Sequence, residues 1–143
     1  MSALTARPAA PTSPRRIPVV AAALAATVAA VAAAEAVAAI GTAVGAAQTQ
    51  QLAPGAIGFM TALGVTAGAV VWQVIIMRAR TPARVLQRVV PATLLLSFLP
   101  DLALAAGGSP WSAVVTLMVA HVAVFAVAVP VLARGLGTRR RAA

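Results

Sequence analysis

The chain has 143 residues, of which 62% are hydrophobic and 9% charged, with 11 Lys+Arg against 2 Asp+Glu and a net charge of +9. Soluble domains carry about 25% charged residues, and a single domain of this length has no core large enough to hide so much apolar side chain, whereas a bilayer accepts it on the outside of helices. The absence of cysteine excludes disulfides, thiolate metal sites and cysteine nucleophiles.

In chain order, residues 1–16 are polar and carry Pro8, Pro11 and Pro14, with no apolar face to bury, and are expected to be a disordered N-terminus. Arg15 and Arg16 precede the first apolar run, residues 18–47, where Pro18 suits the first turn of a helix. This run is rich in alanine and holds Glu35. A cleaved signal peptide is the rival reading, since Ala32, Ala33 and Ala34 resemble a small-residue cleavage site. The run continues well past that point and more apolar runs follow, which favours a retained span.

A short uncharged stretch, residues 48–55, leads to a second run, residues 56–77, with Trp72 near its end placed as an interfacial anchor. Arg78, Arg80, Arg84 and Arg88, with Pro82 among them, then form a basic loop that includes the start of the next helix. A third run, residues 89–106, has Pro91 in its expected first turn and Pro100 inside, where a missing backbone donor should kink the helix. Asp101 follows that proline directly. A turn through Gly107 and Gly108 places Trp111 at the opposite interface. The last run, residues 112–133, carries His121, the single histidine, with Arg134 and the basic tail 135–143 beyond it.

Each run is long enough to cross the hydrocarbon as a helix, which takes about 20 residues. The expected architecture is an all-α integral membrane four-helix bundle in a bacterial inner membrane. All 11 basic residues are arginine and fall in three groups flanking the runs. Four crossings put every arginine on one side, the side that basic loops mark as cytoplasmic, so both termini are expected there. The arginines Arg15, Arg16, Arg78, Arg80, Arg84, Arg88, Arg134, Arg139, Arg140 and Arg141 are expected to contact acidic lipid headgroups. Nucleic acid is not expected as a partner: aromatics are 3% and tyrosine is absent, leaving no stacking platform.

Gly41 and Gly45, and again Gly64 and Gly68, stand four apart, a spacing that lets helix backbones approach closely in lipid. The alanine surface of the first run offers the same. Such faces serve contacts within the bundle or between chains, so a homo-oligomer and a membrane-protein partner both stay open.

Glu35, Asp101 and His121 lie in the apolar runs at similar depth, and ionisable groups there face the bundle interior or reach water. They form a candidate buried polar cluster in which His121 contacts Glu35, Asp101 or both, because lipid satisfies neither ring nitrogen. One reading is a hydrogen-bonded knot that fixes packing. A second is a proton-relay or cation site, and in a third the three groups do not meet and Asp101 snorkels to the outer surface after Pro100. If the knot is purely structural, His121→Leu is expected to be tolerated. Metal binding is not expected, since no spacing supports a ligand set, and no cofactor motif occurs. Ser97, Ser109 and Ser112 lack a nucleophile context and no triad is visible, so no catalytic residue and no enzyme is expected. Two functions therefore stay open: a structural or accessory helical-bundle subunit, or an oligomeric proton- or cation-linked transporter or channel.

The four runs, the arginine-only loops and the segment Leu117-Met118-Val119-Ala120-His121, followed by an apolar stretch to Pro130, resemble an uncharacterised family of small actinobacterial membrane proteins, a domain of unknown function. The resemblance spans about residues 17–134. It implies a four-span fold and no activity, substrate or cofactor.

Overall fold

The structure, a computed structural model, describes residues 19–138. The expected disordered stretch 1–16, Pro18 and the arginines Arg15, Arg16, Arg139, Arg140 and Arg141 lie outside the described residues. Within them the chain is all-α, with no strand: α1 Val19–Ala43, α2 Pro54–Arg78, α3 Pro82–Ala106 and α4 Trp111–Leu136. Each helix has 25 or 26 residues and is long and apolar enough to cross a membrane.

Two helix ends lie well away from the ends of the apolar runs, for separate reasons. The first apolar run reaches residue 47, but α1 stops at Ala43, and Gly45 takes a left-handed φ of 102° that only glycine adopts without strain. The chain then folds back through a short 3₁₀ turn, Gln50–Leu52, which buries Leu52 against Ile57. The third helix begins at Pro82, within the basic stretch and ahead of the apolar run that starts at residue 89. Pro82 takes the first turn, where its lost donor is harmless, and arginine is a good helix former. Arg84 and Arg88 therefore sit within α3, and Pro91 lies in its interior. The basic residues therefore do not mark where the helix starts. The helix runs through both Pro91 and Pro100.

Around the bundle the helices follow the order α2, α1, α4, α3, with α1 against α4 as the closest packing and α2 and α3 barely touching. The α1–α4 contact is a seam of small residues. Ala22, Ala26, Ala30, Ala34 and Ala38 recur every fourth position and are all buried. A Cβ added to Gly135 would overlap the Ala22 side chain, and one added to Gly41 would overlap Thr116. Close backbone approach of this kind replaces the hydrophobic driving force that lipid cannot supply. The seam uses the alanines, Gly135 and, of the two spaced glycine pairs, Gly41 alone. Gly45 serves the turn, and Gly64 and Gly68 face open space.

Larger side chains close the two ends. Trp72, Ile76, Leu86, Leu132 and Leu136 cluster at one end, and Leu52, Ile57 and Leu117 at the other. Trp72 does not act as a lipid-facing anchor. It is buried among α1, α3 and α4 and donates its indole N–H to the Gly137 carbonyl at 2.9 Å. A buried indole needs an acceptor, and the carbonyls at the end of α4 lack helical partners. Trp111, at the opposite end, is exposed. The described arginines Arg78, Arg80, Arg84, Arg88 and Arg134 are all exposed, at or near the helix ends beside Trp72.

Candidate functional site

Helix α3 has the least cover of the four. Leu95, Leu96, Leu99 and Leu102 are exposed along it, and beyond its first two turns Asp101 is its single buried residue. A carboxylate is thus the most deeply held side chain in the outer part of the helix, and something on a neighbour must hold it. That partner is His121 of α4, whose Nδ1 lies 3.0 Å from Asp101 Oδ2.

The imidazole is fixed on three sides. Its Nδ1 is also 3.0 Å from the Leu117 carbonyl one turn back on α4. Two oxygen acceptors around one ring nitrogen require the proton on Nδ1. Phe98, one turn before Asp101 on α3, meets the ring edge-on, with centroids 6.3 Å apart and planes at 83°. The N–H aligns with the Leu117 oxygen, so Asp101 Oδ2 is in ionic contact with the ring yet buried without an aligned donor. The side chain of Asp101 is 6% exposed, that of His121 33%. Nε2 makes no hydrogen bond among the described residues and is not sealed off.

Glu35 does not join them. It lies half-buried on α1, against α2, and makes no ion pair among the described residues. A Cβ at position 58 would stand 2.8 Å from Glu35 Oε1, so the carboxylate occupies a notch that Gly58 leaves open. The other hydroxyls stay on their own helices: Ser97 Oγ donates to Leu94 O at 2.7 Å and Thr116 Oγ1 to Ser112 O at 2.8 Å. Ser112 Oγ in turn accepts from the Ala47 N–H at 3.1 Å and ties the α1–α2 connection to α4. The structure therefore brings together Asp101 and His121 and leaves Glu35 apart, on a different pair of helices.

Depth is nonetheless shared. Gly135 meets Ala22 near one end of the α1–α4 seam, and Gly41 meets Thr116 near the other. Nineteen residues separate these contacts on each helix, so the register holds throughout. Counting thirteen residues from the first contact, Glu35 on α1 stands level with Val122 on α4, next to His121. Roles missed from the sequence are those of Phe98, the Leu117 carbonyl and Gly58. Phe98 had a legible signal, since it stands three residues before Asp101 and so on the same helical face.

Chemically, the pair can hold one proton between an imidazole and a carboxylate, and can tie α3 to α4. No curated protein and no solved structure matches the chain. A family model described as a family of unknown function (DUF6069) matches residues 10–138. With that match covering nearly the whole sequence, and four helices apolar enough to span a membrane behind it, the chain belongs to this family of unknown function.

Proposed function

We propose that the chain is a non-catalytic structural or accessory subunit of the bacterial inner membrane, with both termini cytoplasmic. The observation that carries this reading is the use of the polar pair. Asp101 and His121 strap the least buried helix, α3, to α4, and with Glu35 elsewhere no continuous polar line runs along the bundle axis among the described residues. A translocation route needs polar or ionisable groups strung along it, so the transporter reading would need several copies. The exposed leucines of α3 and the thin α2–α3 contact offer apolar surface to lipid or to another helix. The arginines at the one end suit acidic headgroups, each contributing about 1 kcal/mol near a charged leaflet. Neither nucleic acid nor a cofactor belongs to this reading.

Reporter fusions and crosslinking in native membranes test it. Fusions after Arg80 and at the C-terminus are expected to report cytoplasm, and fusions at Gln50 and Gly108 the opposite side. A cytoplasmic signal at Gln50 or Gly108 contradicts the topology. Proton or cation flux through the purified chain in liposomes, lost on His121→Leu, contradicts the accessory role.

A further inference from the structure

We infer that Glu35 of one copy and His121 of a neighbouring copy form an intersubunit polar contact, so that the Asp101–His121 site is completed by a second molecule of this chain. Each side of the contact is incomplete in the single chain. Glu35 is accessible, lies within a membrane-spanning helix and has no hydrogen bond or ion pair among the described residues. An intramembrane carboxylate left to lipid costs several kcal/mol. His121 has Nδ1 engaged by the Leu117 carbonyl and Asp101, while Nε2 is accessible and unpartnered. The ring is already locked in orientation by those contacts and by Phe98, so the remaining nitrogen is presented with little entropy left to lose.

Depth makes the match specific. Glu35 and His121 stand level across the α1–α4 register. Copies inserted with the same topology are related by an axis along the bilayer normal, and such an axis preserves depth. The described arginines are gathered at one end, so none of them in a parallel copy stands at the depth of Glu35, whereas every parallel copy offers His121 at the right height. Within one chain the two residues lie on different helix pairs, α1–α2 and α3–α4, so the contact joins two different faces. That is a heterologous interface, which closes into a ring when the rotation permits.

The donor and acceptor count balances whichever group carries the proton. An imidazolium donates from Nε2 to the Glu35 carboxylate, or a protonated Glu35 donates to the Nε2 lone pair. In the first state, His121 stands between two carboxylates, and its positive charge offsets that of the buried Asp101 oxygen that lacks an aligned donor. Gly58 gives Glu35 its notch beside α2 without closing it off. This contact is separate from the accessory reading, which also holds for a chain that binds only a different protein.

The sequence holds one glutamate, one aspartate and one histidine, which makes the test unambiguous. Chains labelled with ¹³C at the glutamate carboxyl are mixed in equal amounts with chains labelled with ¹⁵N in the histidine ring, and reconstituted into bilayers of phosphatidylglycerol and phosphatidylethanolamine. Dipolar dephasing between the labels then reports only contacts between chains. The expected result is dephasing about half as strong as in doubly labelled chains, disappearing on dilution with unlabelled protein. A mixed sample without dephasing overturns the inference and leaves the accessory reading standing. A second readout uses the cysteine-free background. Ala39→Cys in one tagged chain and Met118→Cys in another sit one turn from Glu35 and near His121, at matched depth. They are expected to form a disulfide, reduced severalfold by Glu35→Leu in a chain whose helicity is unchanged. A yield unaffected by Glu35→Leu also overturns the inference.

Discussion

Asp101 shows how one residue can set the terms for its neighbours. From the sequence, His121 reads as the residue in need of partners, and an apolar replacement reads as harmless. In the structure the aspartate is the more buried partner, and the imidazole supplies the single positive edge beside it. Removing one member of a buried pair leaves the other uncompensated, at about 3 kcal/mol or more, whereas replacing both is often neutral. His121→Leu is therefore expected to lower stability by about that amount, and Asp101→Leu combined with His121→Leu to recover most of it. Unfolding in mixed micelles, followed by circular dichroism, measures both. At the opposite end, Trp72→Phe removes the indole donor to the Gly137 carbonyl, and a loss of about 1 kcal/mol is expected in the same assay. The depth of the three ionisable residues was legible from the run lengths alone. Their pairing was not, because it depends on which face each helix turns inward, and an all-apolar helix carries no amphipathic stripe to announce it.

At the scale of the element, the existence of four helices followed from run length, since α1, α2, α3 and α4 each correspond to one apolar run. Their ends did not follow, because hydropathy marks entry into lipid while helix starts are set by residues such as Pro82. Small-residue spacing pointed to tight packing but did not say which small residues were used. Alanine is abundant, so the seam from Ala22 to Ala38 stood out less than the two glycine pairs. Substitution separates the two classes. Ala30 is fully buried in the seam, and Ala30→Leu is expected to cost about 1–3 kcal/mol or more by overpacking. Gly64→Ala and Gly68→Ala place a methyl group in open space, and a gain of about 0.5–1 kcal/mol each is expected from helix propensity. Thermal unfolding in detergent ranks all three. A Gly64→Ala variant less stable than the parent would show that the exposed glycines are packed against something outside the chain.

For the whole molecule, the order α2, α1, α4, α3 leaves one tightly sewn pair of helices at the centre, α1 and α4, and two outer helices held differently. Helix α2 is held by packing of Ile57, Val65, Ala69, Trp72 and Ile76. Helix α3 is held by Pro82 and Leu86 at one end and by the polar pair further along. Over its outer length α3 is positioned by the contact between Asp101 and His121 together with Leu104, which packs against the cluster around Leu117, and the polar contact can be measured directly in a bilayer. Chains labelled with ¹³C at the aspartate carboxyl and ¹⁵N in the histidine ring carry one label of each kind, since each residue occurs once. Diluting these chains with unlabelled protein removes contacts between copies from the signal. The 3.0 Å separation of Nδ1 and Oδ2 predicts strong dephasing at a carbon–nitrogen distance of about 4 Å. No dephasing in folded, diluted protein would mean that α3 does not pack on α4 through this pair, and would contradict the arrangement of the bundle.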